Sequence, residues 1–260
     1  MGTLWPARSG ASDSFTDSEF AGAAMDADSV RTQDLLAARL RDGAEALNLG
    51  VSDFQQRRLL DYLALLQKWN RAYNLSAVRE PLQMASQHLL DCLATVPPLA
   101  RHLDGAAARI LDVGSGGGLP GVVLAVMRPA WSVCCVDAVA KKAAFIRQVA
   151  VELGLKNLQA EHGRVEVLQR PTSDVVISRA FASLSDFTAL TRGHLTPTGC
   201  WLAMKGKVPD AEMAALPADV VVFHVEPLQV PGLDAQRCLV WMRPAQLRAM
   251  SGSTAGAAVS

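Results

Sequence analysis

The sequence predicts an α/β fold, a doubly wound Rossmann-like sheet of seven mostly parallel strands with one antiparallel edge strand, preceded by N-terminal helices. Three observations lead there. From Arg109 onward, short apolar runs alternate with helical patterns; the first run ends in the glycine-rich turn Asp112-Val113-Gly114-Ser115-Gly116-Gly117-Gly118; and the last two runs have no long helix between them.

Taken in order, residues 1–30 are rich in Ser, Ala, Gly and Asp without hydrophobic period and predict a disordered acidic tail. Residues 31–100 predict a helical segment. Within it, Ser52-Asp53-Phe54-Gln55 has the form of a capping box, and Leu59, Leu60, Leu63, Leu66 and Trp69 fall near one face of the helix it opens. Pro81 fits the first turn of a further helix carrying Met84, His88, Leu89 and Cys92. Residues 101–247 predict the sheet domain. Its strands are expected at 109–113, 131–137, 158–161, 174–178, 200–205, 220–225 and 238–242, with helices over 119–127, 140–153 and 184–194. Residues 248–260 predict a flexible C-terminus.

Composition narrows the class. Half of the 260 residues are hydrophobic and 19% are charged, enough for one substantial core. No apolar run approaches the ~18 residues that cross a bilayer, and no secretory signal is visible, so a cytoplasmic protein with no membrane contact is expected. The five cysteines (92, 134, 135, 200, 238) form neither a disulfide framework nor a zinc pattern. The five histidines have no metal-ligand spacing, so no metal is expected. The formal net charge is zero but unevenly spread: residues 1–30 carry −4 and residues 31–260 carry +4. A mildly basic body permits a polyanionic substrate without requiring one.

The turn at residues 114–118 carries the chemistry. It follows the first strand, where a nucleotide-like cofactor binds in doubly wound sheets, and its glycines let backbone approach a ligand without a Cβ in the way. Asp137, 19 residues beyond Gly118 at the end of the second strand, can accept hydrogen bonds from ribose hydroxyls. Gly116, Gly118 and Gly121 also spell G-x-G-x-x-G, the nicotinamide-dinucleotide frame. That frame starts two residues late, encloses Pro120 and leaves little chain for a second nucleotide-binding half, so S-adenosyl-L-methionine fits better. Cys134-Cys135 lies inside an apolar strand and is assigned to the core rather than to covalent catalysis.

The run Ile110-Leu111-Asp112-Val113-Gly114-Ser115-Gly116-Gly117-Gly118-Leu119-Pro120-Gly121 resembles the signature of the RsmG (GidB) family of bacterial methyltransferases. Trp69-Asn70-Arg71-Ala72-Tyr73-Asn74-Leu75-Ser76, Ile177-Ser178-Arg179-Ala180-Phe181-Ala182 and Lys205-Gly206 are similar to three further family segments, over about residues 50–245. The chain departs from the family at Gln87, where a basic residue often precedes the histidine of the Gln87-His88-Leu89-Leu90-Asp91-Cys92 segment.

The resemblance implies a class I methyltransferase that transfers a methyl group from S-adenosyl-L-methionine to N7 of a guanine in the 530 loop of 16S ribosomal RNA (guanine-527 by convention). It implies cofactor contacts at Gly114, Leu119, Val165, Glu166 and Arg179, beside Gly116, Gly118 and Asp137 of the turn reading. Arg179, Lys205 and Asn74 are the candidate substrate contacts. The implied partner is 16S rRNA or the small ribosomal subunit, met by a monomer. Guanine N7 has an available lone pair, so no general base and no catalytic dyad is expected; His88 is read as a packed helix residue. A nicotinamide-dependent oxidoreductase, a ribosome assembly factor that binds cofactor without turnover, and a methyltransferase with another substrate remain the alternatives.

Overall fold

The computed structural model describes residues 27–179, 181 and 183–245. The expected acidic tail up to residue 26 and the C-terminus from 248 lie outside the described residues. The rest of the tail does not: α1 (Ala27–Ala46) opens at residue 27, and its Leu36, Leu40 and Ala44 are buried.

α2 (Asp53–Tyr73) opens on the predicted capping box, in which Ser52 Oγ accepts from Gln55 N and Gln55 Oε1 accepts from Ser52 N. Such a cap contributes about 1 kcal/mol. Leu59, Tyr62, Leu63 and Leu66 are buried along one face, while Leu60 and Trp69 are partly buried. α2 ends at Asn74, which adopts the left-handed conformation (φ 49°). Next come α3 (Pro81–Met84), with Pro81 at its first turn, a π-helical turn (Ala85–Leu90), α4 (Asp91–Leu93) and α5 (Val96–His102). α1 presses on the π turn: a Cβ at Gly43 would stand 2.5 Å from Leu90 Cδ2, and Arg39 Nη1 donates to Ser86 Oγ at 3.1 Å.

The sheet contains β1 (Arg109–Val113), β2 (Ser132–Asp137), β3 (Leu158–His162), β4 (Ser173–Ser178), β5 (Leu195–Lys205), β6 (Val220–Leu228) and β7 (Arg237–Pro244). Its order is β3-β2-β1-β4-β5-β7-β6. The pairs from β3 to β5 are parallel, and β7 runs antiparallel to both β5 and β6. The antiparallel addition is therefore an edge pair, with the reversed strand β7 between β5 and the outermost strand β6. Pro227 is tolerated in β6 because an edge strand has one unpaired side.

α6 (Gly121–Met127) begins two residues later than expected, after a turn that includes the cis Leu119–Pro120 bond. α7 (Ala140–Glu152) matches expectation; α8 (Leu184–Thr191) gives way to a 3-10 turn over Arg192–His194; a short α9 spans Asp210–Ala214. β5 starts five residues early. Its pairing with β4 resumes after an irregularity between Ser173 and Val175, and such a break accommodates Pro197 and Gly199.

Strand residues alternate between two cores. Ile110, Val133, Cys135, Val175, Ile177 and Leu202 face α6, α7 and the N-terminal helices in one continuous cluster. Leu111, Val113, Cys134, Val176 and Trp201 face α8 on the other side. The described N-terminal helices are thus a layer of the sheet's own core. Cys134 and Cys135 are buried in the two cores, as their apolar context predicts.

Candidate functional site

All parallel strands point their C-terminal ends to one rim, and the glycine turn after β1 occupies its centre. Gly114, Gly116 and Gly118 have φ of 68°, 59° and 90°, a region that side chains disfavour. The turn is tied to β2: Gly114 N donates to Val136 O at 2.9 Å and Gly116 N to Asp137 Oδ2 at 2.9 Å. Gly118 serves packing, because a Cβ there would meet Val122 Cγ2 at 2.6 Å. Beyond Gly114 and Gly116, by contrast, a Cβ would meet nothing within 4 Å, which leaves room in front of the turn for a ligand.

Asp137 is 6% exposed and does not cap α7. Its Oδ1 accepts from Val139 N at 2.9 Å, and its Oδ2 accepts from Gly116 N and approaches Lys142 Nζ at 3.5 Å. A carboxylate has about four acceptor positions. Asp137 therefore holds the turn through one of these contacts and has one acceptor position, on Oδ1, open to a ligand hydroxyl.

A cleft of about 250 Å³ opens against the turn. One wall is Gly114 to Gly117, Leu119 and Arg179; the other is Leu66, Leu75, Ser76, Ala77 and His88 from the N-terminal helices. Whole small-molecule sites run from about 300 Å³ upward, so this cleft accommodates one end of such a ligand. A larger groove of about 450 Å³ is lined by residues of α1 and α2 alone and has no part of the glycine turn.

Among the sequence-predicted residues, Gly114, Gly116, Leu119 and Arg179 converge on this cleft. Val165 and Glu166 lie outside it, in a 3-10 turn after β3. They reach the same rim, since Gly163 N donates to Asp137 O at 3.1 Å. Val165 is buried and its carbonyl accepts from His194 Nε2, while Glu166 is exposed beside Arg164. Asn74 is exposed, with Oδ1 accepting from Arg79 Nη2 at 2.8 Å. Lys205 stands on the rim but is engaged: its Nζ donates to Glu212 Oε2 (2.8 Å), Glu212 Oε1 (3.1 Å) and Phe181 O (3.4 Å), and its side chain is 16% exposed. It braces the chain after β4, where Glu212 also accepts from Leu184 N.

The structure adds residues the sequence did not single out. Tyr62, fully buried on α2, donates its hydroxyl to Gly117 O at 2.8 Å and so ties the helical layer to the turn. The signal was a phenol on a leucine face, because a buried hydroxyl needs a partner. Ser76 Oγ and His88 Nε2 share a 2.7 Å hydrogen bond. His88 is packed, as expected, and also borders the cleft; burial and then the Arg179 charge lower its pKa, which favours the uncharged imidazole. Asp91 and Arg237 join Arg179 in an ion cluster.

Asp112 lies fully buried beneath the turn. Its Oδ2 accepts from Gly121 N at 2.8 Å, and its Oδ1 has no partner among the described residues. Burial pushes this carboxyl up to about 7, against the opposing pulls of the Gly121 N–H and Arg179. Open space over positive-φ glycines, an unspent carboxylate oxygen and an arginine at the cleft fit a nucleoside carrying an amino-acid tail, such as S-adenosyl-L-methionine.

Among the described residues, no group of three or more His, Cys, Asp or Glu is placed to hold a metal, and no helix is long and apolar enough to cross a membrane.

Comparison with known proteins agrees with this architecture. A solved structure described as a mutant of MtNAS superposes with a TM-score of 0.50 at 13% identity, covering 83% of this chain and 86% of that one, and supports the fold alone. The Ribosomal RNA small subunit methyltransferase G of Methylibium petroleiphilum is 61% identical over 207 residues, covering 80% of this chain and 94% of the relative. That of Acidovorax sp. JS42 is 62% identical over 213 residues, covering 79% and 94%. The family model described as GidB, rRNA small subunit methyltransferase G, matches residues 55–240. With its seven-stranded doubly wound sheet, the chain belongs to the rRNA small subunit methyltransferase G family, S-adenosyl-L-methionine-dependent enzymes that methylate ribosomal RNA.

Proposed function

We propose that this protein methylates N7 of a guanine in the 530 loop of 16S rRNA, as a monomer working in the cytoplasm on RNA of the small ribosomal subunit. The observation that carries this reading is the cleft itself, where the glycine turn, Arg179 and the Leu75–Ala77 segment meet. When bound, the cofactor supplies an electrophilic methyl group on a sulfonium. Gly114, Gly116, Leu119 and Arg179 would hold its amino-acid end, and Asp137, Val165 and Glu166 its nucleoside end.

Guanine N7 offers an unprotonated lone pair, so the protein's task is alignment and exclusion of water rather than proton removal. The apolar wall of Leu66 and Leu75 suits that task, and His88 is held by its hydrogen bond to Ser76. The mouth suits a polyanion. Tyr73 is 44% exposed, Lys141 Nζ lies 5.9 Å above its ring, and Lys68, Arg71 and Arg79 are exposed nearby along the same stretch. Unpaired bases stack on such aromatic groups while phosphates meet the cations. Asn74 belongs to this surface; Lys205 supports the chain after β4 and would contact RNA only by giving up Glu212.

The test supplies radiolabelled S-adenosyl-L-methionine and small subunits from a strain lacking the modification. Label is expected in 16S RNA at one guanine of the 530 loop, at a position made cleavable by reduction and aniline, as N7-methylguanine is. No label in 16S RNA under conditions where the cofactor binds would refute the reading; label on a group insensitive to that cleavage would refute the N7 assignment.

A further inference from the structure

Arg179 enters the cleft from the end of β4, but the direction of its guanidinium is set by residues on other elements. Its Nη1 donates to Asp91 Oδ2 at 3.3 Å and to Gln87 O at 3.2 Å, both on the helical run of the π turn. The Asp91 side chain is 4% exposed, and its other oxygen accepts from Arg237 Nε at 2.8 Å, at the start of β7. Arg237 is itself anchored, with Nη1 donating to Gln236 O at 2.8 Å. One carboxylate thus stands between two guanidinium groups and gives each a single oxygen.

A guanidinium carries five donors in one plane. With Nη1 of Arg179 committed to Asp91 and Gln87, the Nε and Nη2 edge remains, and it makes no hydrogen bond to the described residues. Two parallel N–H groups on one edge match a carboxylate bidentately. The arginine borders the glycine turn, where the amino-acid end of a nucleoside cofactor would lie.

We propose that Asp91 is a positioning residue: it turns Arg179 so that the Nε and Nη2 edge faces the α-carboxylate of the cofactor, while Arg237 holds Asp91 from behind. This rests on the reading of Arg179 as a cofactor contact and is independent of the RNA assignment. An amide in place of the carboxylate has one acceptor oxygen, so Asp91→Asn leaves one arginine without its carboxylate oxygen and aims an N–H₂ at a cation.

Calorimetric titration of the full-length protein with two ligands tests the proposal. S-adenosylhomocysteine has the α-carboxylate; 5′-methylthioadenosine keeps the nucleoside and thioether but lacks the amino-acid tail. Asp91→Asn is expected to weaken the first about tenfold or more, in line with the loss of a charge-assisted contact, and to leave the second within about twofold. Arg179→Lys keeps a cation for Asp91 but removes the fork, and is expected to show the same selectivity; it serves also if Asp91→Asn does not fold. The double variant is expected to lose no more than Arg179→Lys alone, since both act through one contact. Equal weakening of both ligands would assign Asp91 a general structural role and overturn the proposal, as would unchanged affinity for S-adenosylhomocysteine in either variant. Neither result bears on whether 16S RNA is labelled.

Discussion

Asp112 is an ionisable group with no exposure, placed where the turn meets the core. Its folded-state pKa of about 7 lies above the ordinary 3.8, so the folded protein binds this proton more tightly than the unfolded chain does. The stability it contributes is present below 3.8 and is lost as pH rises toward 7. Asp112→Asn retains an acceptor for Gly121 N–H and removes the charge. Its stability relative to the parent is therefore expected to rise across that window, by up to about 1.4 kcal/mol per pH unit, and to level off above it. Urea denaturation of both proteins between pH 5 and 8 measures this; parallel curves would refute it. At this scale the glycines and Asp137 were legible in sequence because their partners are local or follow from strand order. Arg237 was not, since its partner Asp91 lies 146 residues away and no spacing rule connects them. Lys205 was placed correctly on the rim, but its engagement by Glu212, on a short helix without strong periodicity, left no trace in the pattern.

Among the elements, α2 links capping, core and site. The Ser52 cap fixes where it starts, its leucine face fixes which side is buried, and that side delivers Tyr62 to Gly117. Tyr62→Phe keeps the ring and removes the hydroxyl, leaving the Gly117 carbonyl without this donor. We expect a loss of about 1 kcal/mol in stability and a few-fold weaker binding of S-adenosylhomocysteine, read by denaturation and calorimetry. If neither changes, the hydrogen bond does not position the turn. The strands and long helices were readable because period 2 and period 3.6 leave different imprints on apolar residues. The π turn was not, because it differs from an α-helix only by a choice of backbone hydrogen bonds within one helical run. The early start of β5 was hidden by Pro197 and Gly199, which a regular strand would exclude.

For the whole molecule, zero net charge conceals local organisation. The basic stretch around Tyr73 lies beside the cleft mouth, through Leu75 and Ser76. Replacing Lys68, Arg71 and Lys141 with Gln is expected to raise KM for small subunits about tenfold and leave cofactor affinity unchanged. If these residues meet unpaired RNA, each phosphate contact removed reduces the salt slope of log affinity by about 0.7. An unchanged slope would place the RNA elsewhere. The doubly wound, mostly parallel sheet followed from the alternation of runs. The integration of the N-terminal helices into its core did not, because periodicity reports that a face is buried without naming what covers it.

That integration has a consequence for where this protein can be cut. The family match begins at residue 55 and omits α1. Yet Gly43 and Arg39 of α1 press on Leu90 and Ser86, in the same helical run that carries Gln87 and Asp91. A fragment trimmed to the shared family region would keep every residue lining the cleft and lose the buttress behind one of its walls. The support of the cleft thus extends past the region that the family model matches.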